Sequence, residues 1–460
     1  MAKSCGRPSW GPVALGALMV LASIGQGVKP ASAQATGAKS SWKFDFGAGK
    51  VEPGYIQVLP TTTYSPETGY GLETPALVTN QDRGKPDNLR RDFLTSDKPF
   101  RFSVAVPEGN YSVKVILGDG AGQSNTTIKA EQRRLMLEEV RTIAGQFETR
   151  TFTVNVHAPQ IAEGREVALN ARELGPPLSL NWDKKLTLEF NGPRPCICAV
   201  EITPAEEALT VFLAGDSTVT DQRDEPWAAW GQMLPRFFKP GVAVANYAES
   251  GLSLKSFKSQ RRQEKLLSAM KPGDYAFIQF GHNDQKDKAP NAGAFTSYKD
   301  ILRDFVKQVQ EMRGRPVLVT SMERRRWSDE GKPQPTLADY AEATRQVASE
   351  ENIPVIDLNA MSLKFYEAMG PEASQKAFVF YAANTFPGQK EALKDNTHFN
   401  NYGAYELARC IVEGIKANVP ALAKSLADDV KSFDPAKPDS AESFNLPVSP
   451  LAASEKPAGN

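Results

Sequence analysis

Two hydrophobic rhythms divide the chain. From Trp42 to about Pro204, apolar and polar residues alternate in short runs separated by Gly, Pro and Asn. In FRFSVAVPEGNYSVKVIL, Phe100, Phe102, Val104 and Val106 share one face of a strand. The chain turns at PEGN and resumes with Tyr111, Val113, Val115 and Leu117 on one face. RTFTVNVH, KLTLEF and CICAVEI repeat this period of two, and the spacing predicts an antiparallel β-sandwich over residues 42–204.

After TPAEEA the runs become short and almost continuously apolar: LTVFLAGDST, VAVANYAES, DYAFIQFGHND, PVLVTSM and IPVIDLNA, each ending in glycine or polar residues. Helical periodicity separates them, as in Ser297–Arg313 and Leu337–Glu351. Strands apolar on both faces and alternating with helices predict an α/β domain over 208–430, its parallel sheet covered on both sides. In such sheets functional groups collect at the carboxyl ends of the strands. From Phe433 onward the chain is rich in Pro, Ser and Ala without periodicity, which predicts a disordered tail over 433–460.

The first 33 residues stand apart. Lys3 and Arg7 precede an apolar run, Val13–Ile24, and small residues at Ala31 and Ala33 follow. This is the pattern of an export signal cleaved after Ala33. The run falls short of the roughly 20 apolar residues of a membrane span. The expectation is a protein without a membrane span, exported to the periplasm or the medium. Cys5 precedes the apolar run, so no lipidated cysteine is indicated. Cleavage leaves Cys196, Cys198 and Cys410, an odd set that cannot form a disulfide framework; Cys196 and Cys198, on one face of a strand, are expected as core residues. Trp42 and Trp182 are expected in the core as well. With 54 basic and 54 acidic residues the chain has no charge excess to attract nucleic acid.

Candidate chemistry lies at the strand ends. Ser217 follows Gly215 and Asp216 at an expected strand-to-helix turn, where it is either a helix cap or an exposed hydroxyl. Gly251 after the second strand is a turn glycine or a backbone donor facing the cleft. Asn283, in GHND, is a turn residue or an amide donor to an oxyanion. His398 is one of three histidines and lies three residues after Asp395 in DNTHFNNYGA. A serine needs an imidazole to take its proton, and that imidazole needs a carboxylate to fix its tautomer. His157 falls in the sandwich, leaving His282 and His398 for such a site. A metal site from His282, Asp284, Asp395 and His398 matches no specific ligand spacing, and neither a Gly-x-Ser-x-Gly elbow nor a His-Glu-x-x-His motif occurs.

Gly215-Asp216-Ser217, Gly251, Gly281-x-Asn283-Asp284 and Asp395-x-x-His398, in that order, resemble the SGNH (GDSL) hydrolase superfamily over roughly 209–420. GDSTV, FGHND and DNTHFNNYGA look most like rhamnogalacturonan acetylesterases, and the segment from WKFDFGAGK looks like a galactose-binding-like sandwich found with some bacterial members. The resemblance implies a flavodoxin-like, three-layer α/β/α domain. It implies Ser217 as nucleophile, His398 as base and Asp395 as its orienting partner. The implied oxyanion donors are the Ser217 and Gly251 amides and the Asn283 side chain. Better-known members often have glycine where this chain has Asn396. No cofactor or metal is implied. The expected partner is an acetylated pectic polysaccharide or oligosaccharide, and the expected activity removes its acetyl groups. Arg324, Arg325 and Arg326, with Trp327, follow the fourth strand as expected contacts to acidic sugars, or form a solvated basic loop. His282 is a further substrate contact or a support for Asn283. The alternatives are an esterase for acetylated xylan or another glycan, a lipase or thioesterase on the same fold, and a non-catalytic glycan-binding protein.

Overall fold

A computed structural model describes residues 1, 41–73, 77–174, 180–450 and 456–458 of the 460. The export signal expected over 1–33, with Cys5, falls outside them apart from Met1.

The period-two region forms two facing sheets. One runs Phe147–Val156, Gly109–Gly118, Cys196–Pro204, Trp42–Phe46, Ile56–Val58, with Asp92–Thr95 and Thr79–Asp82 attached to it. The other runs Tyr70–Leu72, Phe100–Ala105, Lys185–Arg194, Ser124–Ala130, Arg134–Thr142. Pairing is antiparallel except between Trp42–Phe46 and Ile56–Val58. The PEGN turn does not close a hairpin: its two strands belong to opposite sheets. That is where their alternation leads, because Phe100, Phe102 and Val104 on one side and Val113, Val115 and Leu117 on the other fill a single core. Burying each such side chain contributes about 1.5–3 kcal/mol. Cys196, Cys198 and Cys410 are buried free thiols, and Trp182 is buried too. Trp42 is half-buried and packs on the sandwich core.

The second region holds a parallel sheet in the order Val242–Asn246, Leu209–Gly215, Tyr275–Gln279, Arg315–Val319, Val355–Ile356. In chain order this is 2-1-3-4-5, the flavodoxin-like arrangement with its switch point between the first and third strands. Alternate residues of each strand enter different cores. Val211, Leu213 and Phe277 pack with Trp230, Phe365, Leu407 and Ile411 on one face. Phe212, Ala214 and Ile278 pack with Phe257, Leu302, Phe305 and Val347 on the other. Burial on both faces is why these strands read as unbroken apolar runs. The helices expected at Ser297–Arg313 and Leu337–Glu351 are Lys299–Glu311 and Ala338–Glu350. No described helix is long and apolar enough to cross a membrane.

Two local expectations are corrected. No helix follows Ser217 directly: the chain after Gly215 makes a single turn, with the amides of Val219 and Thr220 donating to Asp216 O, and the first helix is Trp230–Met233. The segment from Phe433 to Pro450 has no helix or strand but is not a loose tail. Phe433 lies under Arg409, Phe444 packs on Tyr402 and Tyr405, and Ser449 is buried. Its aromatic residues are attached to a frame that other segments supply, so no period of its own marks it.

Candidate active site

Three strand ends and one hairpin meet above the switch point. Ser217 sits in the turn after Leu209–Gly215, and a side chain at Gly215 would come 2.4 Å from Val219 Cγ2, so glycine lets this turn fold back on itself. Asp216 Oδ1 accepts from the amide and hydroxyl of Thr218 at 2.9 and 2.8 Å, fixing the turn from inside. His398 and Asp395 lie on the strand Leu393–Phe399, paired with Phe378–Tyr381 and irregular at Val379. Asp395 Oδ1 accepts from the amides of Thr397 and His398 at 2.9 and 3.1 Å. These local bonds curl the strand and bring both side chains to one side despite their spacing of three. Asn400 caps the helix Asn401–Asn418 by accepting from Gly403 N.

The three groups make a continuous relay. His398 Nδ1 is 2.8 Å from Asp395 Oδ2, and His398 Nε2 is 2.8 Å from Ser217 Oγ. With Nδ1 protonated, the ring donates to the carboxylate and its Nε2 accepts from the serine hydroxyl. Burial alone would raise the Asp395 carboxyl; the bond from His398 and the two backbone amides outweigh it and hold the group below its ordinary range. All three residues are buried. Lys456 Nζ lies 4.0 Å from Asp395 Oδ2.

The candidate oxyanion donors converge on the same turn. Gly251 has φ of 85°, a left-handed conformation that suits glycine. Among the described residues, neither its amide nor that of Ser217 has an acceptor. Asn283 Nδ2 donates to Leu252 O at 3.0 Å, which ties the amide to the Gly251 loop, while Lys286 Nζ donates to Asn283 Oδ1 at 3.1 Å.

The basic stretch after the fourth strand separates into different roles. Arg324 is half-buried and its Nη2 donates to His282 O at 3.1 Å. Arg325 is tied down: Nε donates to Ser374 Oγ, Nη1 to Asn396 Oδ1 and Nη2 to Pro371 O, with the guanidinium over Phe380. Its backbone amide also donates to Asn396 O, so Asn396, at the position where better-known members often have glycine, is a strut for the Asp395 loop. Arg326 is exposed. Trp327 packs partly buried against the core, not as an open platform. His282 is buried, with Nδ1 3.5 Å from Asp216 Oδ2. Burial lowers its pKa against the pull of Asp216. Burial pushes neighbouring Asp284 up to about 7. Among the described residues, no group of three or more His, Cys, Asp or Glu is placed to hold a metal ion.

One contact escaped the sequence reading. Gln222 Nε2 donates to Ser217 O at 2.6 Å and lies 3.4 Å from Ser250 Oγ, so one amide braces both the serine turn and the Gly251 loop. A lone glutamine in TDQRDEPW carries no spacing signal that would reveal this.

This fold and relay are those of a carboxylic ester hydrolase, and the chain belongs to the GDSL-like lipase/acylhydrolase family, whose model matches residues 213–404. The galactose-binding-domain-like model of β-agarases and YXIM-like esterases matches residues 42–163. Among relatives, rhamnogalacturonan acetylesterase RhgT of Bacillus subtilis is 40% identical over 213 residues, 46% of this chain and 91% of that one. The uncharacterized esterase YxiM of the same organism is 28% identical over 385 residues, 82% of this chain and 90% of that one. The crystal structure of B. subtilis YxiM covers 82% of this chain and 98% of its own, at 26% identity and a TM-score of 0.42.

Proposed function

We propose that this esterase removes acetyl groups from pectic rhamnogalacturonan after export from the cell. The observation that carries the reading is the unbroken relay from Asp395 through His398 to Ser217, with 2.8 Å at each step. Ser217 attacks the acetyl carbonyl while His398 Nε2 takes the hydroxyl proton. The tetrahedral oxyanion turns toward the amides of Ser217 and Gly251 and the second hydrogen of the Asn283 amide. Each such donor is worth on the order of 3 kcal/mol in the transition state. His398 then returns the proton to the departing sugar oxygen, leaving acetyl on Ser217. Water, deprotonated by the same nitrogen, attacks this acyl-enzyme and releases acetate. Asp395 stays ionised throughout and stabilises the imidazolium.

For the polymer, support comes from the 40% identity to a rhamnogalacturonan acetylesterase. It also comes from Arg326, an exposed cation following the fourth strand, of the kind that pairs with the carboxylate on every second sugar.

The test is acetate release from acetylated rhamnogalacturonan and from acetylated xylan, with Ser217→Ala as control. Release from the pectic polymer, lost in the variant, is expected. Preference for xylan would leave the chemistry standing and overturn the substrate, and release that survives in Ser217→Ala would overturn the nucleophile.

A further inference from the structure

The sandwich reaches into the machinery of the other domain. Its strands Ser124–Ala130 and Arg134–Thr142 are joined by a tight turn in which Glu131 and Arg133 take φ of 53° and 65°. Left-handed backbone is uncommon for such residues and persists where the surroundings impose it. Here the Glu131 amide donates to Thr187 O at 2.8 Å, and the Thr187 amide donates back to Glu131 Oε1 at 2.9 Å. The turn is thereby clamped to the sandwich, and three long side chains project from it into the α/β domain. Gln132 Nε2 donates to Asp221 O at 2.6 Å, and Arg134 Nε donates to Asp221 Oδ2 at 2.6 Å.

Arg133, between them, contacts both halves of the catalytic relay's support. Its Nη1 donates to Gln222 O at 3.0 Å and to Trp227 O at 2.9 Å. Its Nη2 donates to Asn401 Oδ1 at 3.2 Å and pairs with Glu225 Oε2 at 2.7 Å. Gln222 is the residue whose side chain holds Ser217 O and reaches Ser250 beside Gly251. Asn401 is the first residue of the helix capped by Asn400, three positions after His398. A single buried guanidinium therefore spans the serine turn and the histidine loop, which are joined as well by the catalytic hydrogen bond of 2.8 Å, by the Ala228 amide donating to Phe399 O at 2.8 Å and by Asn401 Nδ2 donating to Glu225 Oε2 at 3.0 Å.

We infer that Arg133 is a positioning residue, supplied by the sandwich, that sets the distance between Ser217 and His398; the inference rests on the serine-esterase reading above. The planar fork fixes two groups in one geometry, which a lysine ammonium cannot do. A misplacement of about 1 Å between reacting groups lowers a rate by about a hundredfold. The sandwich thus contributes to turnover and not only to folding or sugar capture.

The experiment measures hydrolysis of p-nitrophenyl acetate by the full chain, with kcat expressed per active site titrated by a fluorophosphonate. Arg133→Ala is expected to lower per-site kcat by about 10- to 100-fold with KM within about twofold. Arg133→Lys is expected to fall between, and added ethylguanidinium to restore part of the alanine variant's kcat. Arg83→Ala, which removes a sandwich ion pair to Asp119, is the control expected to leave kcat unchanged. A wild-type per-site kcat in Arg133→Ala would overturn the inference. If that variant does not fold, a wild-type per-site kcat in Arg133→Lys would overturn it equally. Activity surviving in Ser217→Ala would instead sink the serine-esterase reading itself.

Discussion

Asp395–His398 and Asp216–His282 are both buried carboxylate–imidazole pairs, and both lie beside Ser217. In the first, the carboxylate is held by two backbone amides, bonds one ring nitrogen, and leaves the other aimed at the serine hydroxyl. In the second, carboxylate and imidazole are a longer 3.5 Å apart, and the far ring nitrogen, Nε2, meets no hydrogen-bond partner among the described residues. Nearness to a carboxylate is common to both. What distinguishes a base is an oriented ring whose far nitrogen meets the proton it is to take.

The comparison breaks most visibly at the relay. Ser217→Ala and His398→Ala are each expected to lower kcat on an acetyl ester by about 10⁴- to 10⁶-fold, read by steady-state kinetics. Asp395→Asn should lower it by about 10³- to 10⁴-fold, since the amide favours the wrong tautomer of His398. His282→Gln, by contrast, should cost less than about tenfold, the loss being confined to packing under the serine turn. A His282→Gln effect as large as that of His398→Ala would erase the distinction between the pairs. Asn283→Ala is expected to lower kcat by about a hundredfold with little change in KM, as for loss of one oxyanion donor.

The smallest effect is on stability. Asp284 follows His282 by two residues, and burial raises its folded pKa to about 7 from an ordinary 3.8. Its neutral form favours the fold. The contribution is full below the unfolded pKa, declines as pH rises through 7, and leaves a penalty at higher pH. Asp284→Asn preserves the oxygen that accepts from Leu254 N. The variant should therefore gain a few kcal/mol relative to wild type at about pH 8 and almost nothing at about pH 4, measured by urea unfolding. Equal shifts at both pH values would contradict this.

Much of this was legible in the sequence. The two hydrophobic periods separate sandwich from parallel sheet because burial on one face or two leaves different alternation. The strand-end blocks around Ser217, Gly251 and Asn283 are brought to one place by the sheet topology, and the hairpin carrying His398 meets them there. What the sequence concealed has no period. Arg325 faces inward to Asn396 and Ser374, although its neighbours suggested a solvated or sugar-binding basic loop. Phe444 and Ser449 lie in a Pro- and Ser-rich stretch that reads as disordered but docks on surfaces built by distant residues. Arg133 is one arginine of an EQRR turn in the sandwich, and only tertiary structure reveals that it touches Gln222 and Asn401.

On the proposed mechanism His398, and not His282, activates Ser217. This is tested most directly by the rate of fluorophosphonate labelling followed by intact-protein and peptide mass spectrometry on the wild type, His398→Ala and His282→Ala. One adduct is expected, on the peptide carrying Ser217, formed at near wild-type rate in His282→Ala and slowed by orders of magnitude in His398→Ala. Labelling that depends on His282, or an adduct on any other residue, would contradict it.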